Sequence, residues 1–600
     1  MADVESYEVV RLSYSDVFGK PGTHQRLIAI LGSLRLAEVV DYLGRASAVL
    51  FNASVQDESV QRQLSEVFFA SESASVWSAV ERWKQQQRKQ DRPTAFVLFD
   101  EASIALTVKV ALFASSPSAA TLELDLPLLG EAVLIANGLV DANAPLGVQP
   151  NTQRGLDAWV YYMYTVSTFQ ANDQTLHRLA RTYDLFLSDK PHLSASGSYM
   201  NLPERVLQAT GLDPQTLWSI LFAYLAHFYS IDASSAHRSP AWIHRTKFFE
   251  EFTFSDAQVA NFLRLLARPL NDIASEVRVS TSVNALRPYD HSALAKSPLI
   301  EIEDRAYCPV LRLLLERVTT GLYHTLLNAT PGSDGASNGS RAQFMTYVGD
   351  VFEDYVDRLI KRVLDQRLAK NLNGFVYLDP QTLRALAPPI KKGEESPICD
   401  HLIWDGDSLV LWDSKAKSFP ANVRAGEDQQ TFLDRFGSLI DGAAKQLDST
   451  ANLARAGAFA AHGVDPTMIR HVFPAIVSLP DHTLQPYMHG WIQKRVRDQG
   501  LLPSSASHSL ELVMVGDLEQ LEGAWATGKS LSEFFRVKNE SGRWRDQSIH
   551  NYIALGGDPD LQKARSPYLD SLYLRLTSMT EQFLAQNAKN GVALFNDTPT

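Results

Sequence analysis

The stretch from Pro397 to Lys415 carries carboxylates and an amine at a spacing that can do chemistry. Asp400 lies near its start, and Asp413 and Lys415 lie at its end, in a run that is otherwise mostly apolar. Asp405-Gly406 in the middle predicts a hairpin turn, because apolar runs flank it. Residues i and i+2 of a strand share a face, so Asp413 and Lys415 point one way and Ser414 the other. Two carboxylates and an ammonium then converge near the end of a hairpin. Such a set can hold a hard divalent cation and a negatively charged substrate. Taken singly, Asp400 reads as a turn former, and Asp413 with Lys415 as an exposed ion pair worth under about 1 kcal/mol. The strand around them argues against that. Leu409 and Leu411 occupy one face, Val410 and Trp412 the other, which is the pattern of a central strand buried on both sides. Charges that end such a strand are costly unless paired or metal-bound.

The flanking segments must position these groups. Phe344 to Leu364 repeats apolar residues at helical spacing, with Glu353 at the edge of the stripe beside Phe352. Gly374 to Leu378 reads as a strand, and a polar turn around Lys391 to Ser396 leads into the hairpin. Gln429 to Ala454 is helical and contains Lys445-Gln446, while Ile469 to Leu479 and Leu510 to Val515 read as strands. The order is helix, three strands, helix, strand. Glutamate sits on the first helix, aspartate on the second strand, Asp-x-Lys on the third, and glutamine on the helix that follows.

In this order of elements the segment Arg341 to Gly516 resembles the PD-(D/E)XK nuclease superfamily. The resemblance implies an α/β restriction-endonuclease-like core, αβββαβ around a mixed central sheet, preceded by a large, mainly helical α+β N-terminal region. Glu353 matches the first-helix acid, Asp400 the second-strand acid, Asp413 and Lys415 the third-strand pair, and Gln446 a glutamine seen in some branches. Ile398-Cys399 stand where the family often has proline. The implied activity is hydrolysis of phosphodiester bonds with Mg²⁺ or Mn²⁺, on DNA ahead of RNA, with defence against foreign DNA as its setting. Asp400, Asp413 and Glu353 are the implied metal-site residues, with the Ser414 carbonyl as a further oxygen. Glu353 would bind a second metal or orient a metal-bound water. Lys415 would position or deprotonate the attacking water, and Gln446 would orient water, substrate or Lys415. Lys417, of the same parity as Lys415, reads as a phosphate contact. The rival reading is a catalytically inactive nucleic-acid-binding or scaffold protein built on the same fold.

Two better-known patterns match in letters but not in context. Gly523 to Ser530 fits the P-loop spacing, yet the residues before it, Asp517 to Glu522, look helical where a strand is required. Phe96 to Glu101 looks like the apolar strand ending in acid that holds Mg²⁺ in NTPases, but it lies upstream of that loop instead of downstream. The expected readings are a junction between helices with Ser530 or Ser532 as N-cap, and a core strand followed by a turn. His401 adjoins Asp400 but points to the other strand face, which suggests core or surface.

The chain of 600 residues carries a formal charge of −12 and 45% apolar residues. That is too long for one core and ordinary for a globular protein. A coat of positive charge for nucleic acid is excluded, so any such contact must come from a local basic patch or from metal ions. Two cysteines make neither a disulfide framework nor a zinc site and are expected as free thiols in a reducing cytoplasm. No signal peptide is read at the N-terminus, and Leu217 to Tyr229 is too short to span a bilayer, so no membrane association is expected. The expected divisions are a mixed α/β domain over 1–150, a helical domain over 151–328, a flexible Gly/Ser-rich linker over 329–340, the nuclease-like domain over 341–530 and a helical tail over 531–600. Leu106 to Phe113 and Thr121 to Leu126 are strand candidates. The aromatic residues between Trp159 and Tyr229 read as core, and the N-terminal region is expected to supply recognition, control, homo-oligomerisation or a partner surface.

Overall fold

The computed structural model describes residues 10–588 apart from 54–56, 91, 93, 116–123, 143, 146–147, 151, 167–174, 233–238, 282–285, 330–336, 371–373, 388–397, 418, 420–422, 424–427, 481–485, 504–506 and 527. The chain is mixed α/β. Helices predominate, and the described strands form a five-stranded sheet, a four-stranded sheet and a two-stranded pair.

The five-stranded sheet belongs to the C-terminal half. Its elements are, in chain order, α1 (Ser337–Ala369), β1 (Phe375–Leu378), α2 (Pro380–Leu386), β2 (His401–Asp405), β3 (Ser408–Lys415), α3 (Gln429–Arg455), β4 (His471–Ser478), α4 (Pro486–Asp498), β5 (Glu511–Met514) and α5 (Val515–Ala526). The helices and strands expected here from periodicity are present, with α2 and α4 added between them. Across the sheet the order is β5-β4-β3-β2-β1. The β1–β2 and β2–β3 pairs are antiparallel, and β3–β4 and β4–β5 are parallel. In the hairpin Asp405 pairs with Ser408, so the turn is Gly406-Asp407, one residue later than expected. Gly406 adopts φ +65°, a conformation that favours glycine at the first central position of a two-residue turn.

β3 is central and buried from Ser408 to Asp413. Val410 and Trp412 face a core shared with Ile403, Phe473 and Val477, with Phe352, Tyr355 and Val356 of α1, and with the N-terminal helices. Leu409 and Leu411 face a second core under Phe436, Ile440 and Leu447 of α3 and Ile492 of α4. That second core also takes in Val160 and Tyr164 from the N-terminal helix Gln153–Val166, and Tyr164 stacks on Phe432 with ring centroids 4.7 Å apart. The sheet is thus covered on both faces, as its continuous apolar strands require.

Several expectations change. Leu106–Phe113 is not a strand but lies inside the helix Glu101–Ala114, which is buried from Glu101 to Leu112. A helix apolar all round has no 3.6-residue stripe, and a short apolar run then reads equally well as strand. Of the second strand candidate, residues 121–123 lie outside the described residues, and Leu126 opens the helix Leu126–Asp141. The Gly/Ser-rich stretch at 330–336 also lies outside them, and α1 already begins at Ser337. The polar turn at 391–396 lies outside them too. The tail forms the helix Pro567–Asn587, which packs on the N-terminal helices Thr175–Thr182 and Pro214–Tyr229. It meets α1 where the Arg362 guanidinium lies 3.9 Å from the Tyr568 ring centroid. Trp218, Tyr224 and Phe228 are core, as their spacing suggests, whereas Trp159, Tyr161, Tyr162 and Phe222 are half-buried and Tyr229 is exposed. Both cysteines are buried free thiols. Among the described residues no helix is long and apolar enough to cross a membrane.

Candidate active site

Asp413 and Lys415 lie on one face of β3, as strand parity requires. Asp413 is fully buried on the α3 face, and the Lys415 ammonium lies 2.6 Å from its Oδ2. Lys415 Nζ also donates to Gln446 Oε1 at 3.1 Å. Gln446 is fixed in height by the next turn of α3. Thr450 Oγ1 donates to the Gln446 carbonyl at 2.8 Å and accepts the Cys399 amide at 2.8 Å, which ties α3 to the chain entering β2.

Asp400 precedes β2, yet its amide donates to the Trp412 carbonyl at 3.1 Å, extending the ladder alongside β3. Its Oδ2 accepts the Ser414 amide at 2.8 Å. The Ser414 backbone therefore links Asp400 to the Asp413–Lys415 pair on either side of it. Glu353, on α1, faces Asp400 closely enough for their carboxyl groups to share a hydrogen bond. Burial first, and then the charge of Asp400, push the Glu353 carboxyl up to about 8, although Arg384 opposes the shift. Arg384 reaches in from α2, pairs with Glu353 and lies 3.4 Å from Asp400 Oδ1. The helix that carries it starts at Pro380 and is capped by Asp379, whose Oδ1 accepts the Thr382 amide at 2.9 Å.

The five residues predicted from sequence thus fall into two adjoining groups. Glu353 and Asp400 form one, and Asp413, Lys415 and Gln446 the other. Arg384 was missed. It lies 16 residues before Asp400, and nothing in its spacing singles it out. Lys417 is exposed. His401 is core, on the face away from Asp400: its Nδ1 lies 2.9 Å from the Tyr377 hydroxyl and its Nε2 lies 3.4 Å from Ser414 Oγ. Tyr377 in turn donates to Asp357 of α1 at 2.6 Å. Burial lowers His401 to about 4, so the ring is neutral at physiological pH.

Among the described residues no three His, Cys, Asp or Glu side chains stand close enough to hold a metal ion as they are. The donor set nonetheless fits a hard dication, which usually takes only one or two carboxylates. Glu353 and Asp400 are crowded together, with side chains only 19% and 13% exposed. Burial and the neighbouring Asp400 favour the protonated form of Glu353, and the Arg384 guanidinium stands against both carboxyl groups.

The two other motifs resolve into structural roles. Gly523 lies inside α5, and a Cβ there would come 2.2 Å from the Arg565 carbonyl oxygen, so this glycine permits close packing. Lys529 is engaged by Asp558 at 3.0 Å and Asp560 at 2.8 Å. Ser530 caps the helix Leu531–Glu540 and donates to Asp405 of the hairpin at 2.7 Å. Asp100 caps the helix Glu101–Ala114 by accepting the Ser103 amide at 2.7 Å, and it pairs with Arg11. Glu101 pairs with Arg312 at 2.6 Å. No family model matches the chain, and no curated protein and no solved structure matches it.

Proposed function

We propose that the chain is a metal-dependent nuclease that hydrolyses phosphodiester bonds, with DNA as its substrate, on a restriction-endonuclease-like core. The observation that carries the reading is Lys415, held between Asp413 and Gln446 at one end of a buried strand, beside the Glu353–Asp400 pair. Asp400 and Glu353 would hold Mg²⁺ or Mn²⁺, while Asp413 is engaged by Lys415. The ion supplies Lewis-acid polarisation of a phosphoryl oxygen and lowers the pKa of its bound water. Asp413 would pair with the Lys415 ammonium and aim it along the face of β3. Lys415 positions the attacking water and offsets charge that builds on the phosphoryl group. Gln446 fixes the lysine from the helix side. The net negative charge of the chain leaves contact with the nucleic-acid backbone to local cations such as Lys415 and the exposed Lys417.

One observation favours a second reading, a nucleic-acid-binding protein that does not cut: Arg384 occupies both carboxylates. The test is cleavage of supercoiled, linear and single-stranded DNA, and of RNA, by the full chain with Mg²⁺ or Mn²⁺. The nuclease reading expects cutting of DNA that stops with chelator and with Asp413→Ala or Lys415→Ala. Binding of DNA with no cutting under either metal supports the second reading.

A further inference from the structure

We infer that Arg384 is a built-in placeholder cation, which holds Glu353 and Asp400 together and must withdraw before a divalent ion can bind them. The inference rests on the metal-dependent reading above. Three observations carry it. First, Arg384 contacts both acids with the same terminal nitrogen, Nη2, so one positive group serves two carboxylates. Second, the oxygens it uses are the ones a metal needs. Asp400 Oδ2 is committed to the Ser414 amide at 2.8 Å, which leaves Oδ1, the oxygen that Arg384 approaches. A guanidinium and a dication therefore compete for the same lone pairs. Third, the arginine is free to leave and the acids are not. The Arg384 side chain is 52% exposed, whereas those of Glu353 and Asp400 are 19% and 13% exposed. Its guanidinium can swing into water at little cost in solvation, while the two acids stay fixed on α1 and beside β3.

A metal reaches the pair only after displacing a charge-assisted hydrogen bond. The apparent affinity is set by that competition, and the site is kept assembled in the metal-free protein.

The experiment is Mn²⁺ titration of the full-length protein, without nucleic acid, followed by calorimetry. Removing the competitor with Arg384→Gln is expected to tighten Mn²⁺ binding on the order of tenfold, the worth of one charge-assisted hydrogen bond. Arg384→Lys, which keeps the charge on a shorter arm, should fall between the two. Thermal melts confirm folding, which a half-exposed side chain is not expected to compromise. Binding by Arg384→Gln that equals or is weaker than wild type overturns the inference. So does unaltered Mn²⁺ binding with weakened affinity for an oligonucleotide, which would make Arg384 a substrate contact. Asp400→Asn separates the two levels: if it abolishes Mn²⁺ binding while Arg384→Gln has no effect, only the placeholder fails. If no variant binds Mn²⁺, the metal-dependent reading fails with it.

Discussion

At the scale of residues, the tightest constraint is the Asp413–Lys415 pair. Asp413 is wholly buried and Lys415 mostly so, hence Lys415→Met deprives a buried carboxylate of its nearest cation. The expected loss is about 3 kcal/mol in urea unfolding, most of it recovered in the Asp413→Asn/Lys415→Met double variant. On the nuclease reading, Lys415→Met also lowers the cleavage rate by roughly 10²–10³, and the double variant does not restore it. Glu353 gives a pH signature. Its carboxyl titrates near 8 in the folded protein against an ordinary 4.5, so folding favours the protonated acid. That contribution is complete below about 4.5 and is lost as pH rises through about 8. Metal-free protein should therefore show a urea midpoint that declines across this window more steeply than that of Glu353→Gln. A metal needs the carboxylate, so Mn²⁺ affinity should climb over the same window and lose that climb in Glu353→Gln. An equal pH slope in the two proteins would rule out the assignment. Strand parity made the pairing of Lys415 with Asp413 legible in the sequence, whereas Gln446 was singled out only through the family resemblance. Arg384 was not, because its partners come from α1 and from the chain before β2, and no local pattern encodes a meeting of three segments.

At the scale of elements, local rules succeeded where one face of an element is apolar and the other is not. The stripe of α1 and the hairpin of β2 and β3 were both readable. They failed at the helix Glu101–Ala114, where burial on every side erases the period. Letter patterns mislead for a related reason: spacing says nothing about the backbone that precedes it. Gly523 and Lys529 make this testable. Gly523→Ala forces a Cβ against the Arg565 backbone and should cost about 1–3 kcal/mol. Lys529→Ala removes an ion pair that is 41% exposed on the lysine side and should change stability by less than about 1 kcal/mol. Neither should alter affinity for ATP, measured by calorimetry. A phosphate-binding loop would give the opposite pattern, with Lys529 decisive for nucleotide.

At the scale of the whole molecule, the sheet that carries the site is not self-sufficient. One face shares a core with the N-terminal helices, and the other is partly covered by the helix Gln153–Val166. A fragment of residues 337–600 should therefore expose apolar surface and fail to give a cooperative melt by circular dichroism, whereas the full chain melts cooperatively. A cooperative melt from the fragment would show that the covering helices are dispensable. Sequence periodicity could name those helices but not their seat, since an apolar stripe states that a face is covered and not by what. The seat of Gln153–Val166 has a consequence for synthesis. This helix leaves the ribosome long before β3, and β5 follows later still, so the sheet closes only when most of the chain has been made. At ordinary elongation rates the interval is on the order of tens of seconds. During that time Tyr164 and its neighbours have no sheet to pack on, and Lys415 has no finished site to serve. On the nuclease reading the nascent chain would remain catalytically silent until its last third emerges, and in that window its unpacked apolar helices are most in need of a chaperone.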